Sequence, residues 1–207
     1  MSLATKALEK TERLPPALPP GPVWRFTVDQ YHAMIKAGIL TEEDRVELLE
    51  GWLIPKMTKN PRHCTATWLA RTALERVTPA GWYVDSQDPV TTSESEPEPD
   101  TAVIRGNRRD YTDRHPGPAD TAMLVEVSDS SLGRDRGLKK RVYARAAVPV
   151  YWIVNLPENR IEVYSDPTGP ADEPDYRQRR DYLAGEEVPV VIDGREVGQV
   201  LVRDLLP

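Results

Sequence analysis

The sequence predicts an α/β fold: a mixed central β-sheet flanked by helices, with additional antiparallel strands toward the C-terminus. Three observations carry this. The run Ala122-Met-Leu-Val-Glu-Val-Ser is apolar for long enough to make a strand buried on both faces. A basic helical stretch follows from Asp135 to Ala147, and then a second buried run, Val148-Pro-Val-Tyr-Trp-Ile-Val, so that a helix connects two core strands. Short alternating runs at 160–165, 176–183, 188–192 and 196–202 are separated by Pro, Gly and Asp, as antiparallel strands are.

The remaining elements follow in order. Residues 1–23 read as an extended tail ahead of one domain over 24–207. Five of the 20 prolines fall between Pro15 and Pro22, and proline fixes φ and lacks a donor. Thr27 is an N-cap for a helix to Ala37, with Tyr31, Met34 and Ile35 at helical spacing and Gly38 at its end. Two short strands flank a Glu50-Gly51 turn within 45–54. A second helix runs from Arg62 to Val77 and is closed by Pro79 and Gly81. Trp82–Val84 and Val90–Thr92 read as strands. The run Glu94, Glu96, Glu98 is broken by Ser95 and Pro97 and reads as a solvated loop. Pro99-Asp100 is a turn entering a further strand.

Composition narrows the function. The chain has 207 residues, 27 Lys and Arg, 33 Asp and Glu, and a net charge of −6. That balance argues against coating by nucleic acid, because phosphate binding is mostly neutralisation by Lys and Arg. Any nucleic-acid role needs positive charge gathered locally. A single cysteine, Cys64, excludes an intrachain disulfide and a thiolate-only metal cage, and it fits a reducing, cytoplasmic setting. The longest apolar stretch, 146–154, is far short of the roughly 18–20 residues a membrane span needs, and no secretory signal is visible.

Glu126 is the odd residue of its strand. A carboxylate inside Leu-Val-Glu-Val is paired, binds a metal, or sits on an exposed edge. Asp100, entering another strand, can share a sheet edge with it, and two carboxylates suit a hard divalent cation that keeps several waters. Taken alone, Asp100 reads as turn punctuation, since Pro-Asp is common in turns. Asp135, Lys139 and Tyr143 lie at i, i+4 and i+8 on one helix face. They read either as a solvated face with an Asp–Lys pair or as a lysine beside a metal site. Six basic residues and one acid between Arg134 and Arg145 give a local balance of +5. Arg136, Lys140 and Arg141 in this stretch are the expected nucleic-acid contacts. Tyr151 and Trp152 read as core aromatics.

These strings carry a resemblance. Leu124-Val-Glu126-Val-Ser-Asp-Ser-Ser-Leu, Asp135-Arg-Gly-Leu-Lys139-Lys-Arg-Val-Tyr143-Ala and Val148-Pro-Val-Tyr-Trp-Ile-Val-Asn resemble the Uma2 family. Arg45-Val-Glu47-Leu-Leu-Glu-Gly-Trp, His63 and Pro99-Asp100 stand upstream in the family's order. That family belongs to the PD-(D/E)xK nuclease superfamily, so the resemblance implies a restriction-endonuclease-like core. It implies an Mg²⁺- or Mn²⁺-dependent endonuclease acting on nucleic acid, DNA first. By this resemblance Asp100 and Glu126 are metal ligands, with the Val127 carbonyl as a further one. The superfamily's usual lysine position holds Ser128 here, and Lys139 takes that role from the following helix. Glu47 adds a ligand or holds a metal-bound water, Asp135 and Tyr143 orient Lys139, and His63 matches a recurrent histidine. Val150 replaces a family glutamate and is expected to alter the rim of the site. A homodimer suits the cutting of two strands. The competing reading is a catalytically inactive module of the same fold that binds or assembles.

Overall fold

The structure, a computed structural model, describes residues 22–207. The expected tail lies outside these residues except for Pro22 and Val23.

Helix α1 (Val28–Lys36) starts at the expected cap: the Thr27 hydroxyl accepts from the Gln30 N–H, and the Gln30 side chain accepts from the Thr27 N–H. Strands β1 (Val46–Leu49) and β2 (Trp52–Pro55) form an antiparallel hairpin. Glu50 and Gly51 both have positive φ, 49° and 78°, which a two-residue hairpin turn of this hand requires. A Cβ at Gly51 would fall 2.6 Å from the Arg25 Cβ, so this turn needs glycine twice over. Helix α2 (Pro61–Val77) is capped by Asn60, whose side chain accepts from the His63 N–H.

The sheet runs in the order β3 (Trp82–Asp85), β4 (Thr101–Arg105), β5 (Thr121–Ser128), β6 (Val150–Asn155), β7 (Arg160–Pro167), β8 (Tyr176–Leu183). All neighbours are antiparallel except β5 and β6. Parallel neighbours need a crossover. Here it is a helix in three parts: α3 (Leu132–Arg134), a π turn (Asp135–Lys139) and α4 (Lys140–Arg145). Strands β9 (Glu187–Ile192) and β10 (Arg195–Leu201) form a separate hairpin. The four C-terminal strands are therefore as expected, two extending the sheet and two covering it.

Alternation along the strands sorts side chains into two cores. Met123, Val125 and Val127 of β5 pack with Ala66, Ala70 and Leu74 of α2 and with Val188, Val190 and Val200 of the β9–β10 hairpin. Leu124, Tyr151 and Ile153 face the other way, onto Val142, Tyr143 and Ala144 of α4 and Leu49 of β1. Tyr151 and Trp152 are core residues on opposite faces, as expected.

Three expectations need correction. Val90–Thr92 is not a strand: the Val90 N–H bonds to Pro97 O, the Thr91 N–H to Pro116 O and the Thr92 N–H to Ser95 O, so the segment is stitched into loops. The acidic run is not a solvated loop. Glu96 is 4% exposed, and it bridges Leu48 of β1 while accepting from the Thr91 hydroxyl and contacting His32. The crossover helix begins at Leu132, ahead of Asp135, and is not regular: the Lys140 N–H bonds to the Asp135 carbonyl five residues back.

Candidate active site

Two strands, a hairpin and a helix converge at one end of the sheet. Thr101 pairs with Val125 and Ala102 with Leu124, and one further step of that register sets Asp100 level with Glu126. Ala102 and Leu124 both face the crossover helix, so both carboxylates belong to that face. Asp100 Oδ2 accepts from the Val127 backbone N–H at 2.9 Å and stands 3.1 Å from His63 Nε2. Glu126 Oε1 accepts from Lys139 Nζ at 2.9 Å and from the Tyr143 hydroxyl at 2.5 Å.

Lys139 is 4% exposed and surrounded by acceptors. Besides Glu126, its ammonium lies 3.2 Å from Glu47 Oε2 and 3.3 Å from the Glu98 carbonyl. The same Glu47 oxygen accepts from the Glu98 N–H at 3.1 Å, and Glu98 pairs with Lys56. Glu47 comes from β1, whose Leu48 carbonyl accepts from the Glu96 N–H. The hairpin thus clips the acidic run in place and delivers a carboxylate to the lysine. Asp135 does not pair with Lys139. Its Oδ2 accepts from the hydroxyls of Ser128 and Ser131 at 2.6 and 2.5 Å, which fastens the helix to the end of β5.

Charge is crowded here. Burial pushes the Glu126 carboxyl up to about 8; Lys139 opposes this, while Asp100, Asp135 and Glu47 add to it. Burial alone would lower the Lys139 ammonium, but Glu126, Glu47 and Asp135 outweigh it and hold its pKa above the ordinary value. Six carboxylates and four Lys or Arg side chains line the pocket, an excess of two negative charges when all are ionised.

The family model Uma2, described as "Putative restriction endonuclease", matches residues 28–193. The chain belongs to the Uma2 family. No curated protein matches it. A solved structure with a similar fold is described as that of "a putative nuclease belonging to DUF820 from Anabaena variabilis ATCC 29413". It superposes with a TM-score of 0.63 over 87% of this chain and 97% of that one, at 14% identity. The likeness bears on fold, and it supports a restriction-endonuclease-like arrangement for this Uma2 chain.

The expected residues divide into two groups. Asp100, Glu126, Val127, Lys139, Glu47, Asp135 and His63 all line one pocket, and Tyr143 supports it from behind. Arg136, Lys140 and Arg141 do not line it. Arg136 is paired with Glu158 and Glu162, Lys140 with Asp175, and Arg141 bidentately with Glu50. Val150 is not on the rim either: it pairs with Met123, three residues before Glu126, and packs on the α2 side. Glu98, Lys56, Lys59, Asn60 and Arg134 also line the pocket. Glu98 was visible beforehand in the acidic run and Arg134 in the basic stretch; for the others the sequence signal was the pair of lysines in the connection from β2 to a capped helix.

The donor set fits a hard divalent ion. Among the described residues, Asp100 Oδ1 and Glu126 Oε2 accept from no protein donor, so each ligand candidate keeps one oxygen for other use. Among those residues no group of three or more His, Cys, Asp and Glu side chains has metal-holding geometry. Two carboxylates completed by waters are what Mg²⁺ takes, and among the described residues no soft-metal cage is formed. Glu47 is alike in this respect: its Oε2 is taken by Lys139 and the Glu98 N–H, and among the described residues its Oε1 accepts from no protein donor. No described helix is long and apolar enough to cross a membrane.

Proposed function

We propose that this Uma2 protein is a divalent-metal-dependent endonuclease that hydrolyses phosphodiester bonds of DNA. The observation that carries the reading is Asp100 level with Glu126, each with an oxygen clear of protein donors, and the Lys139 ammonium against Glu126. Mg²⁺ or Mn²⁺, held by Asp100, Glu126 and the Val127 carbonyl, would polarise the scissile phosphate and acidify an attacking water.

The chain's own residues then have separable duties. Lys139 supplies fixed positive charge for the negative charge that develops on the phosphate. All three of its protons have acceptors, and the Glu98 carbonyl, at 3.3 Å the longest, is the one a phosphate oxygen would replace. Glu47 and Tyr143 fix the lysine and the Glu126 oxygen it meets. Asp135 holds the helix against β5 through Ser128. His63 holds Asp100 from the α2 side. A homodimer and a reducing cytoplasmic setting complete the reading, supported by the two strands of a duplex and by the free, exposed Cys64.

Purified protein with Mg²⁺ or Mn²⁺ should nick supercoiled plasmid, and Asp100→Ala and Lys139→Ala should not. Equal cutting by all three would sink the proposal. No cutting by any, together with no Mn²⁺ binding heat, would leave the inactive binding module as the better account.

A further inference from the structure

We propose that the nucleic-acid backbone is held at the mouth of the pocket by Lys59, Arg62 and Arg134, and not by the Arg136, Lys140 and Arg141 face of the crossover helix. This rests on the nuclease reading above, and it names the surface through which that same site takes its substrate.

The argument is one of spent and unspent charge. A phosphate can bind an already paired cation only by displacing the carboxylate, which returns most of what the new contact yields. Arg136 holds two glutamates, Lys140 holds Asp175, and Arg141 holds both oxygens of Glu50. Lys56 at the pocket is likewise paired with Glu98. Among the described residues, Lys59, Arg62 and Arg134 have no carboxylate within ion-pair distance. Lys59 and Arg134 line the pocket, and Arg62 follows on the first turn of α2.

Arg134 adds a pointer of its own. One guanidinium N–H donates to the Pro55 carbonyl at 2.9 Å, while its Nε is buried with no acceptor. A buried donor without a partner is destabilising, so a nearby ligand oxygen would relieve it. The bond to Pro55 also ties the crossover helix to the connection that carries Lys59, so the two cations are linked across the mouth. Asp129, which lines the same pocket, accepts from the Asn60 amide at 2.6 Å. The pocket therefore has an acidic floor and a basic mouth. Flanking phosphates are gripped outside, by cations that no carboxylate holds in an ion pair, and the scissile phosphate alone meets the acidic centre.

The test is salt-dependent binding of a short labelled duplex, read by anisotropy in Ca²⁺ to suppress turnover. Lys59→Gln, Arg62→Gln and Arg134→Gln should each weaken binding and flatten the slope of log K against log salt by about 0.9 per lost contact. Arg141→Gln should leave the slope unchanged. Lys59 and Arg62 are exposed, so their variants carry the test even if Arg134→Gln fails to fold. If wild type binds and the three slopes match it, this surface is wrong while the nuclease reading stands. A flattened slope in Arg141→Gln alone would move the interface to the helix face. If wild type binds no duplex in Ca²⁺ or in Mg²⁺, the nuclease reading fails and this surface with it.

Discussion

Lys139 meets Glu126 across 2.9 Å from a turn of helix that closes its hydrogen bond over five residues instead of four. The wide turn lets Asp135 reach back to Ser128 and Ser131 while Lys139 points at three acceptors. In a regular helix Asp135 and Lys139 would spend their charges on each other. Single π turns cluster at functional sites, and here the reason is visible in the separate engagements of these two residues.

Deleting Gly137 tests that geometry. It is exposed, and nothing lies near the position of its absent Cβ. Losing one residue should restore a regular helix with Lys139 three positions after Asp135 on the same face, where the two charges pair with each other and Lys139 is drawn off Glu126. Helical circular dichroism should persist and Mn²⁺ should still bind, while plasmid nicking is lost. Retained nicking would mean that the wide turn is incidental.

Glu126→Gln separates metal binding from folding. The amide oxygen can still accept from Lys139 and Tyr143, so the melting temperature should stay within about 4 °C of wild type, the shift of roughly 1 kcal/mol. Calorimetric Mn²⁺ binding and cleavage should both vanish. An unchanged Mn²⁺ heat would remove Glu126 from the ligand set.

Glu47→Gln should behave differently. Glu47 acts on Lys139 and the Glu98 N–H, so cleavage should fall by about 10–100-fold, as when a supporting partner is lost. Mn²⁺ affinity should hold. A matching collapse of Mn²⁺ affinity would make Glu47 a ligand after all.

Glu162 sets an acid limit on stability. It is fully buried on β7; burial alone would raise its pKa, but bonds from Arg136, Asn155 and Tyr164, with Arg179 nearby, bring it down to about 2 from an ordinary 4.5. A carboxyl depressed in the folded state stabilises fully above its unfolded value. That stability fades as pH falls from about 4.5 through about 2. The loss should be on the order of 3 kcal/mol, measured by urea unfolding. Glu162→Gln should lack this component, and parallel curves for both proteins over that range would contradict it.

Much of this was legible beforehand because the signals are local. Alternation exposed β7 to β10, the Thr27 cap fixed α1, and an acid inside an apolar run exposed Glu126. What stayed hidden depends on partners distant in sequence. The local balance of +5 could not reveal that Arg141 meets Glu50, 91 residues away, or that Arg136 meets Glu162, 26 away. Val90–Thr92 has strand-like residues, but loops claim its hydrogen bonds. The π turn has no sequence signature either: it arises because Ser128 and Glu126 pull two residues of one helix in different directions.

Strand β8 ends the sheet, and among the described residues its outer edge pairs with no other strand. Such an edge is a template for adding further copies of the chain, one after another. Arg177, Arg179 and Arg180 stand along it, the first two paired with Asp166 and Asp181 and Arg180 with no carboxylate within ion-pair distance among the described residues, so charged side chains line the edge and hinder its pairing with another. The strand that closes the sheet is thereby guarded against growth into fibrils, and neutralising those arginines should shorten the time the protein stays in solution at high concentration.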